Sequence, residues 1–596
     1  MPAFIALCWN PAEDPSSVTA QALRRRAVAA FPMARALVDV AGLAVLAIGE
    51  DTSTNEAISL PGHCGAVVGR VFSRNSGSKA TITTDDARSI VASGGSRLMS
   101  DYWGRYIAFL HDPQSGRRLI VKDPTGRFPC HFIEYGGVTV LFSRVGDFVA
   151  LGVMPLTLDW TYVRTRVALG GNDGAPFSEV KDMLGGECIE FRGSAMTRAQ
   201  IWNPRSFAGV SDLEDPVEAA RLLRDAVKSC THSWAGCSRD ILLRLSGGLD
   251  SSIVAGCLRD ALPVPEVTCL TYHYENSTAD ERPWARQALA GAPWWHVEVS
   301  LNQRLDLAPM LGSAVVLRPN YEASYLLLGP TDRAHALAAG ADVVLTGEGG
   351  DSNFGSYAFF SALDEYRRRH GVGTRLLRIA MDVALRRNTT LWRALKGLPA
   401  DDRISESRQT IAEDVFRAAL TESSRYQHPW LGQQLSRNAL EIVRYLTQDD
   451  FTQDPFATPG EPQPDFVHPL LSQPVTELCL SLPSYLHFFD GRDRGLARSA
   501  FTADVPAAIL QRQWKDVGPG FAEDVVLHNR ALLKEVLLEG RLMREGVLNR
   551  GAVEASLSST PAKAAACAME LLDLFTVEAW LSNWRSAATP QALSAA

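Results

Sequence analysis

Between residues 240 and 300 the sequence alternates short apolar runs with amphipathic runs, and no other feature restricts the fold as much. The runs "DILLRL", "EVTCLTYHY" and "WWHVEVS" are typical of buried strands, whereas "SSIVAGCLRDAL" and "ERPWARQALAGA" are typical of helices. Strands and helices that alternate in this way predict a parallel sheet wrapped by helices. Upstream, "DPVEAARLLRDAVKSC" begins at Asp215 and predicts an amphipathic helix with acidic residues in its first turn.

A glycine-rich turn ends the first predicted strand, where Ser246, Gly247 and Gly248 follow "ILLRL". We expect a helix from Ser251 onward. Ligands of open α/β sheets lie at the carboxyl ends of strands, and N–H groups at a helix start bind anions. Asp250 can hold a divalent cation that bridges phosphates. The turn therefore predicts a nucleotide site, although Gly-Gly is also common in a plain strand–turn–helix connection.

A second segment, "ADVVLTGEGGDSNFGSY" at residues 341–357, repeats this plan with a strand, a glycine-rich turn and two acids, Glu348 and Asp351. Two such loops at strand ends could enclose a polyphosphate and its Mg²⁺. The alternative is that these acids only cap a helix.

Residues 1 to about 205 have a different character, with β-rich runs such as "RYIAFLHD", "RRLIVKD", "VTVLFSR" and "GECIEFRG". Turns that contain Asp, Pro or Gly separate these runs, which predicts sheet packed on sheet. A chain of 596 residues is too long for one core. We therefore predict two domains, 1–205 and 206–596.

Composition and charge exclude several classes of protein. The net charge of −8 argues against a general nucleic-acid binder. The N-terminus does not resemble a signal peptide, and we find no apolar stretch long enough for a membrane span. The ten cysteines are scattered without a C-x-x-C pair, which is typical of buried thiols in a reducing compartment and not of a metal cluster. We expect a cytoplasmic protein with no nucleic-acid or membrane partner.

These motifs resemble a known family. "SGGLDSS" is similar to the pyrophosphate loop of the N-type ATP pyrophosphatases, and with "TGEGGD" it resembles the asparagine synthetase superfamily. Residues 101–152, with the turn "DPTGRFP" at 123–129, resemble the class II glutamine amidotransferase sandwich. "DFVHPLLSQPVTELCLSLP" and "DRGLARSAFTADVPAAILQRQWKDVGPGF" are similar to later synthetase segments. The resemblance implies an α+β, Ntn-type β-sandwich followed by an α/β synthetase domain with a parallel sheet and many helices.

The resemblance also implies a reaction with ATP and Mg²⁺. ATP adenylates a carboxylate and releases pyrophosphate, and an amine then displaces AMP. Lys515 would stabilise charge that develops on the adenylate and the tetrahedral intermediate, although it could instead be a surface lysine. Tyr357 is in a family-like position, but its acidic partner stays open among Asp364, Glu365 and Asp382. The implied residues are, for ATP and pyrophosphate, Leu245, Ser246, Gly247, Gly248, Asp250, Ser251, Tyr272, Thr346 and Gly347; for the metal, Asp250 and Asp351; and for catalysis, Lys515, Glu348 and Tyr357.

One departure concerns the source of the amine. An active class II glutaminase uses a cysteine at position 2, where this sequence has Pro2. Cys8 lies inside the first predicted strand, and we interpret it as a buried structural thiol. The N-terminal domain is therefore expected not to make ammonia from glutamine.

Members of the superfamily without that cysteine are ammonia-using asparagine synthetases, β-lactam synthetases and lasso peptide cyclases. "HPLLSQP" departs from the synthetase "PFLD" with a His, a second Leu and Ser472, which weakens the free-aspartate interpretation. The long C-terminal tail resembles that of ring-closing relatives. We predict a lasso peptide cyclase acting on a precursor peptide beside a leader-peptide-binding protein and a leader protease. The alternatives are the other two enzymes and a non-catalytic scaffold.

The segment 366–396 is rich in arginine, including Arg367 to Arg369, Arg375, Arg378, Arg386 and Arg387. It could receive an acidic peptide or a partner protein. The alternative is a solvated helix face.

Overall fold

The structure is a computed structural model that describes most of the chain. The residues that it describes are 3–49, 56–171, 174–274, 280–301, 305–319, 323–397, 406–432, 435–447, 456, 463–512, 521–558 and 561–588.

Two antiparallel sheets pack face to face in the N-terminal part. Their strands are β1 (Ala3–Trp9), β2 (Arg35–Val40), β3 (Leu43–Ile48), β4 (Ala57–Leu60), β5 (Gly65–Ser73), β6 (Tyr102–His111), β7 (Arg118–Lys122), β8 (His131–Tyr135), β9 (Val138–Phe142), β10 (Lys181–Asp182), β11 (Glu187–Arg192) and β12 (Ala195–Gln200). The strand orders are β10-β8-β9-β1-β3-β2 and β12-β11-β7-β6-β5-β4. Alternate residues of facing strands share one core, as Phe4 and Phe109 do with ring centroids 5.1 Å apart. These strands, β1 to β12, form the N-terminal sandwich, and the predicted sheet packing is confirmed.

A parallel sheet follows, as the strand–helix alternation predicts. Its strands are β13 (Asp240–Arg244), β14 (Glu266–His273), β15 (Trp295–Ser300), β16 (Val343–Leu345) and β17 (Asp465–Val467). The order is β15-β14-β13-β16-β17, with every pairing parallel. The order of strands along the chain reverses between β13 and β16, and open α/β sheets bind ligands in the crevice at such a point. Strand β17 was not predicted, because only three residues of its segment pair with the sheet.

Helices cover both faces of the parallel sheet and both outer faces of the sandwich. They are α1 (Asp14–Ala30), α2 (Thr84–Ala92), α3 (Ser96–Ser100), α4 (Val145–Ala150), α5 (Trp160–Leu169), α6 (Pro216–Ala235), α7 (Leu249–Leu258), α8 (Arg282–Leu289), α9 (Ala323–Ala338), α10 (Gly350–Asn353), α11 (Phe359–His370), α12 (Thr374–Arg386), α13 (Leu391–Leu395), α14 (Glu406–Ile411), α15 (Glu413–Glu422), α16 (Arg437–Thr447), α17 (Gln473–Ser481), α18 (Ser484–His487), α19 (Gly495–Ala500), α20 (Ala507–Gln511), α21 (Phe521–His528), α22 (Arg530–Glu539), α23 (Arg541–Arg544), α24 (Arg550–Ser558) and α25 (Pro561–Ala588). Within the described ranges, no helix is both long enough and apolar enough to cross a bilayer.

The two faces of the parallel sheet bury different helices. Leu243 of β13 belongs to the same core as residues of α6 and α7, whereas its neighbour Leu242 packs in a separate cluster with Ala336 of α9. This division follows from the alternation of side chains along a strand. The first core also extends to the sandwich, where the Phe72 ring lies 4.9 Å from the Trp234 ring of α6.

The C-terminal helices return to the N-terminal sandwich. Residues of α21, α22, α24 and α25 share a core with the outer face of β1 and β9. Arg166 of α5 pairs with Asp573 of α25 at 2.6 Å, with little exposure of either side chain. The predicted boundary at 205/206 separates the sandwich strands from the rest of the chain in sequence, but the C-terminal helices complete the sandwich in space. The boundary itself stays a prediction.

Candidate functional site

The two glycine-rich loops meet at the carboxyl edge of the parallel sheet. Strands β13 and β16 are direct neighbours, with Leu243 opposite Leu345. The loops that follow them pack so closely that a Cβ on Gly347 would lie 2.4 Å from the Ser251 amide nitrogen. Only glycine allows this approach. The structure therefore brings together the two segments in which the sequence predicts phosphate binding.

The first loop is held by its own side chains. Gly247 has a φ of +73°, and a Cβ there would lie 2.4 Å from the Ala285 nitrogen of α8. The Ser246 hydroxyl accepts a hydrogen bond from the Gly248 N–H at 3.2 Å and lies 3.1 Å from the Ser251 hydroxyl. Helix α7 begins at Leu249, two residues before the expected start at Ser251. The N–H groups of its first turn therefore belong to the loop itself, where an anion would bind.

Asp250 and Asp351 converge on one arginine. Nη1 of Arg494 lies 3.0 Å from one Asp250 carboxylate oxygen and 3.2 Å from the other. The same nitrogen lies 2.5 Å from Oδ1 of Asp351. Gly350 permits the approach, because a Cβ there would lie 2.5 Å from the Asp250 carboxyl carbon. Asp351 keeps 49% of its side chain exposed, so the cluster opens to solvent.

Arg494 is a site residue that the sequence analysis missed. It lies in the quoted segment "DRGLARSAF", 244 positions from Asp250 and outside both loops. Its backbone has a φ of +54°, a left-handed conformation that is uncommon outside glycine, just before α19. Burial alone would lower the pKa of Arg494, but the charges of Asp250, Asp351 and Asp493 raise the pKa above its ordinary value. The guanidinium therefore stays charged and draws the two carboxylates together.

The Asp250–Asp351 pair fits a magnesium ion. Mg²⁺ is held by one or two protein carboxylates together with waters and substrate phosphates, not by an all-protein cage. Both carboxylates reach the same guanidinium nitrogen, so their oxygens already converge on one point. The described residues contain no cluster of three or more His, Cys, Asp or Glu side chains that could hold a metal. Two carboxylates beside a phosphate loop are the donor set that this ion takes.

Glu348 and Thr346 occupy the second loop. The Thr346 hydroxyl accepts from the Glu348 N–H at 3.1 Å and lies 2.7 Å from Nδ1 of His468. His468 is the histidine of "HPLLSQP", and its contact with Thr346 gives this departure from "PFLD" a place at the site. The phenol of Tyr445, on α16, donates to the Glu348 carboxylate. Tyr445 could not be predicted as a site residue, because α16 carries no motif.

Two predicted nucleotide-site residues lie at the carboxyl ends of strands. Leu245 is buried at the end of β13 and its carbonyl accepts from the Thr271 hydroxyl at 2.7 Å. Tyr272 lies at the carboxyl end of β14, where its phenol donates to Asp332 at 2.7 Å. Burial and the Asp332 charge raise the pKa of Tyr272 well above its usual value, so the phenol stays neutral. Leu245 directly follows β13 and Tyr272 is on the neighbouring β14, and the roles of both residues toward ATP stay predictions.

Tyr357 lies farther into solvent than the loop residues, with 43% of its side chain exposed. Among the described residues, no hydrogen bond joins its phenol to Asp364, Glu365 or Asp382. Glu365 instead accepts from the N–H of Ser484, at 2.6 Å, at the start of α18. Asp382 lies against Gly491. The structure therefore supplies no acidic partner for Tyr357 from the three proposed.

Lys515 lies outside the described residues. The last described residue before it is Arg512, whose guanidinium lies 5.0 Å from the Trp284 ring and 3.2 Å from Glu281. Trp284 also packs against Gly247, since a Cβ on that glycine would lie 2.7 Å from the Trp284 side chain. The chain that leads to Lys515 therefore starts beside the phosphate loop.

Cys8 is not a catalytic thiol in this structure. It lies in β1 between β3 and β9, and its side chain is in the sandwich core. Burial raises the pKa of the Cys8 thiol to about 12, although the nearby Arg118 lowers it in part. A thiol with this pKa is almost entirely protonated at neutral pH and is a poor nucleophile.

The arginine-rich segment forms helices next to the site. Helix α12 presents a stripe of exposed apolar side chains at Leu377, Met381 and Leu385. Arg378 lies beside this stripe, 3.7 Å from Asp490. Asp490 belongs to the turn that leads to Arg494, so α12 adjoins that turn.

A comparison with known protein families identifies the C-terminal part. The family model described as asparagine synthase matches residues 218–582, which is more than half of the chain. This chain belongs to the asparagine synthase family. The predicted resemblance to asparagine synthetases is therefore confirmed at that level, and the protein is an ATP-dependent ligase that forms carbon–nitrogen bonds. The match begins in α6 and ends in α25, so the sandwich lies outside it.

Three solved structures show weaker similarity to this asparagine synthase family member. NMN synthetase from Francisella tularensis aligns at 16% identity over 39% of this chain and 94% of that chain, with a TM-score of 0.18. Glutamine-dependent NAD⁺ synthetase from Acinetobacter baumannii aligns at 13% identity over 76% and 100%, with a TM-score of 0.19. Glutamine phosphoribosylpyrophosphate amidotransferase from B. subtilis aligns at 10% identity over 50% and 80%, with a TM-score of 0.22. Scores this low carry no argument about fold or activity. No curated protein matches the chain.

Proposed function

We propose that this asparagine synthase family member is a macrolactam synthetase that closes a ring in a precursor peptide, as lasso peptide cyclases do. An Asp or Glu side-chain carboxylate of the peptide attacks the α-phosphorus of ATP and pyrophosphate leaves. The N-terminal amine of the same peptide then attacks the acyl carbon, and AMP leaves with the former carboxylate oxygen. The observation that carries the proposal is the pair of glycine-rich loops with Asp250, Asp351 and Arg494 at their junction.

The first half of the reaction is assigned to the carboxylate cluster and the phosphate loop. The 245–251 loop would hold the β- and γ-phosphates with its backbone N–H groups and the hydroxyls of Ser246 and Ser251. Asp250 and Asp351 would hold Mg²⁺, which supplies positive charge that neutralises the phosphates. The guanidinium of Arg494 lies at the point where the two carboxylates converge, and it would yield that point to Mg²⁺. Lys515 would stabilise the charge that grows on the acyl-adenylate oxygens.

The second half needs a base, because an amine that arrives protonated cannot attack. Glu348 suits this role better than Tyr357 does. Glu348 is on the same loop as Asp351, and the phenol of Tyr445 on α16 anchors its carboxylate. A carboxylate held next to the acyl-adenylate can take the proton of the attacking amine as the carbon–nitrogen bond forms.

The amine is assigned to the peptide because the sandwich offers no activated thiol. The sandwich strands and turns of the described chain carry Cys8, Cys64, Cys130 and Cys188, all of them buried. Burial raises the pKa of each of these thiols above its ordinary value. A substrate that brings its own amine makes glutamine hydrolysis unnecessary, which favours ring closure over a glutamine-dependent asparagine synthetase.

The exposed stripe of α12 is the proposed docking face for the precursor peptide. Leu377, Met381 and Leu385 would contact its apolar side chains, and Arg378 and its arginine neighbours would attract acidic ones. The face adjoins the turn at Phe489–Gly491, which precedes Arg494, so a peptide held there would reach the site. A leader-peptide-binding protein and a leader protease are proposed as the further partners of this reaction.

ATP–pyrophosphate exchange tests this proposal against its alternatives. Exchange that depends on a precursor peptide, together with a product 18 mass units lighter than the peptide because one water is lost, supports the macrolactam synthetase. Exchange with free aspartate, and asparagine formed from ammonia, would indicate an asparagine synthetase. Exchange with a small amino-acid derivative that then loses water would indicate a β-lactam synthetase. No exchange with any carboxylate would indicate a scaffold.

A further inference from the structure

Glu348 is linked to the N-terminal sandwich through Tyr445 and Arg127. The Tyr445 phenol donates a hydrogen bond to the Glu348 carboxylate. Nη2 of Arg127 donates to the Tyr445 carbonyl oxygen at 3.0 Å. The Arg127 guanidinium carbon also lies 5.3 Å from the centre of the Tyr445 ring, within the range of a cation–π contact. Arg127 therefore contacts both the backbone and the ring of the residue that anchors Glu348.

Arg127 projects from a turn whose shape the sequence dictates. The turn is "DPTGRFP", residues 123–129, which follows β7. The buried Asp123 carboxylate accepts from the Thr125 hydroxyl and, at 3.1 Å, from the Gly126 N–H. Gly126 has a φ of +71°, which favours glycine, and packs closely against Gly185. The Arg127 side chain is 6% exposed, so its guanidinium reaches Tyr445 from a fixed and buried origin.

We propose that Tyr445 and Arg127 are positioning residues for the amide-forming step, and that the sandwich serves catalysis through this contact. The inference rests on the proposed role of Glu348 as the proton acceptor. A glutamate side chain has several rotamers, and a hydrogen bond from a fixed phenol selects one of them. Catalytic groups lose much of their effect when displaced by about 1 Å from the reacting geometry. The sandwich thus contributes to the reaction although its cysteines are buried.

Adenylation depends on a different set of residues. It uses the phosphate loop and the Asp250–Asp351 pair, neither of which contacts Tyr445 or Arg127 through a hydrogen bond in the described chain. Loss of the anchor should therefore slow amide formation and leave ATP–pyrophosphate exchange near the wild-type rate. A role confined to stability would instead lower both half-reactions together.

The main test compares Tyr445→Phe with Tyr426→Phe in the full-length protein. Both substitutions remove a phenol that donates to a carboxylate, since Tyr426 donates to Asp159 at 2.7 Å. The Tyr426 bond links the turn after α15 to Asp159 at the start of α5, and it does not involve the two glycine-rich loops. Tyr445→Phe should lower the rate of amide formation about tenfold, as loss of a hydrogen bond to a charged group does. Its exchange rate should change less than twofold, and Tyr426→Phe should change neither rate.

A second pair of variants tests the contribution of the sandwich. Arg127→Gln should lower amide formation about threefold to tenfold, and Arg127→Lys should recover part of it, because lysine can still donate to the Tyr445 carbonyl but cannot stack on its ring. Arg74→Gln is the control, since Arg74 pairs with Glu477 across the same two parts of the molecule at 2.8 Å without contacting Tyr445. Equal losses in Arg74→Gln and Arg127→Gln would overturn the proposal, because the effect would then be general loosening of the interface.

Hydrogen–deuterium exchange of residues 346–356 separates this inference from the proposed function. Faster exchange at the Glu348 end of that loop, residues 346–349, is expected in Tyr445→Phe and Arg127→Gln, with the Asp351 end unchanged and with Tyr426→Phe and Arg74→Gln unchanged throughout. If the wild-type protein forms no amide from a peptide or from aspartate, the proposed function fails, and the loop measurement still decides whether Arg127 and Tyr445 hold it. Unchanged loop exchange, or equal losses in both half-reactions for Tyr445→Phe, overturns the positioning role.

Discussion

The N-terminal sandwich and the carboxyl edge of the parallel sheet hold charged side chains in opposite ways. In the sandwich, Asp182 lies between His131, at 2.7 Å, and Arg318, which donates to its other oxygen. Burial raises the pKa of Asp182, but the charge of Arg318 and the hydrogen bond from His131 outweigh it and hold the pKa below its usual range. At the sheet edge, by contrast, Asp351 shares Arg494 with Asp250 and remains half exposed. The Asp182 carboxylate thus has a protein partner on each oxygen, whereas almost half of the Asp351 side chain is exposed to solvent.

This difference follows from the two architectures. Asp182 and His131 are paired on the outer face of one sandwich sheet, which other segments cover, so a charged group there must find a partner within the protein. A parallel sheet directs the carboxyl ends of its strands to one edge, where loops place polar groups beside solvent and ligand. The sandwich is thus suited to support, and the edge is suited to bind. Substitutions at the edge should therefore lower activity, and substitutions in the sandwich should lower stability.

The largest effect is expected at the metal pair. Asp250→Ala should lower ATP–pyrophosphate exchange by at least about 10³-fold while the protein remains folded, because it removes a metal ligand and not a packing group. Pyrophosphate release and circular dichroism measure the two properties. Asp225→Ala, an exposed carboxylate of α6 that pairs with Arg221, is the control and should change neither. Normal turnover in Asp250→Ala would remove this carboxylate from the site.

Lys515 should come next. Lys515→Ala and Lys515→Arg should both lose about 10²–10³ in product formation, roughly 3–4 kcal/mol, because one preorganised charge is lost and a planar guanidinium does not replace an ammonium. The affinity for ATP should change little, since the 245–251 loop and the metal pair hold the phosphates. Product mass and ATP titration provide the two readouts. Near-wild-type product from Lys515→Ala would place this lysine on the surface.

The sandwich side should show its effect in stability. His428 lines a cavity of about 1030 Å³ beside Lys122 and Arg318. Burial and the positive charges of these two residues lower the pKa of His428 from 6.5 to about 4, although Asp182 opposes them. The neutral imidazole therefore contributes stability that is present above pH 6.5 and is lost as the pH falls toward 4.

We expect this histidine to account for about 2 kcal/mol of the unfolding free energy lost between pH 7 and pH 5. His428→Gln should remove that part of the pH dependence in urea titrations, because glutamine does not titrate. His528→Gln, at an exposed position on α21, should leave the pH dependence unchanged. An identical pH dependence in wild type and His428→Gln would contradict the expectation.

The smallest expected effect is on glutamine. The protein should release no glutamate from glutamine above background, with or without ATP, because the sandwich thiols are buried and protonated. Cys8→Ser should instead lower the unfolding free energy by about 1–3 kcal/mol, since it buries a hydroxyl in an apolar core. A coupled glutamate assay and urea titration test these two points. Steady glutaminase activity that disappears in Cys8→Ala would contradict our interpretation of the sandwich.

Much of the fold could be predicted from local patterns. The runs around β13, β14 and β15 alternate with helical runs, and each became the predicted element within a few residues. The loops after β13 and β16 could be predicted to meet because parallel strands end at a common edge. Strand β17 could not, since three residues carry too little periodicity and pair only because β16 offers an edge.

The sequence by itself determined the residues that need a particular backbone: Gly247 with its positive φ, Gly347 and Gly350 at close approaches, and Asp250 in the first turn of α7. Only the tertiary structure decided which distant side chains complete the site. Arg494 reaches Asp250 across 244 positions, and Tyr445 reaches Glu348 across 97. The physical reason is that glycine requirements and helix starts are set by neighbouring residues. A contact between distant side chains depends on how whole elements pack, which no local pattern records.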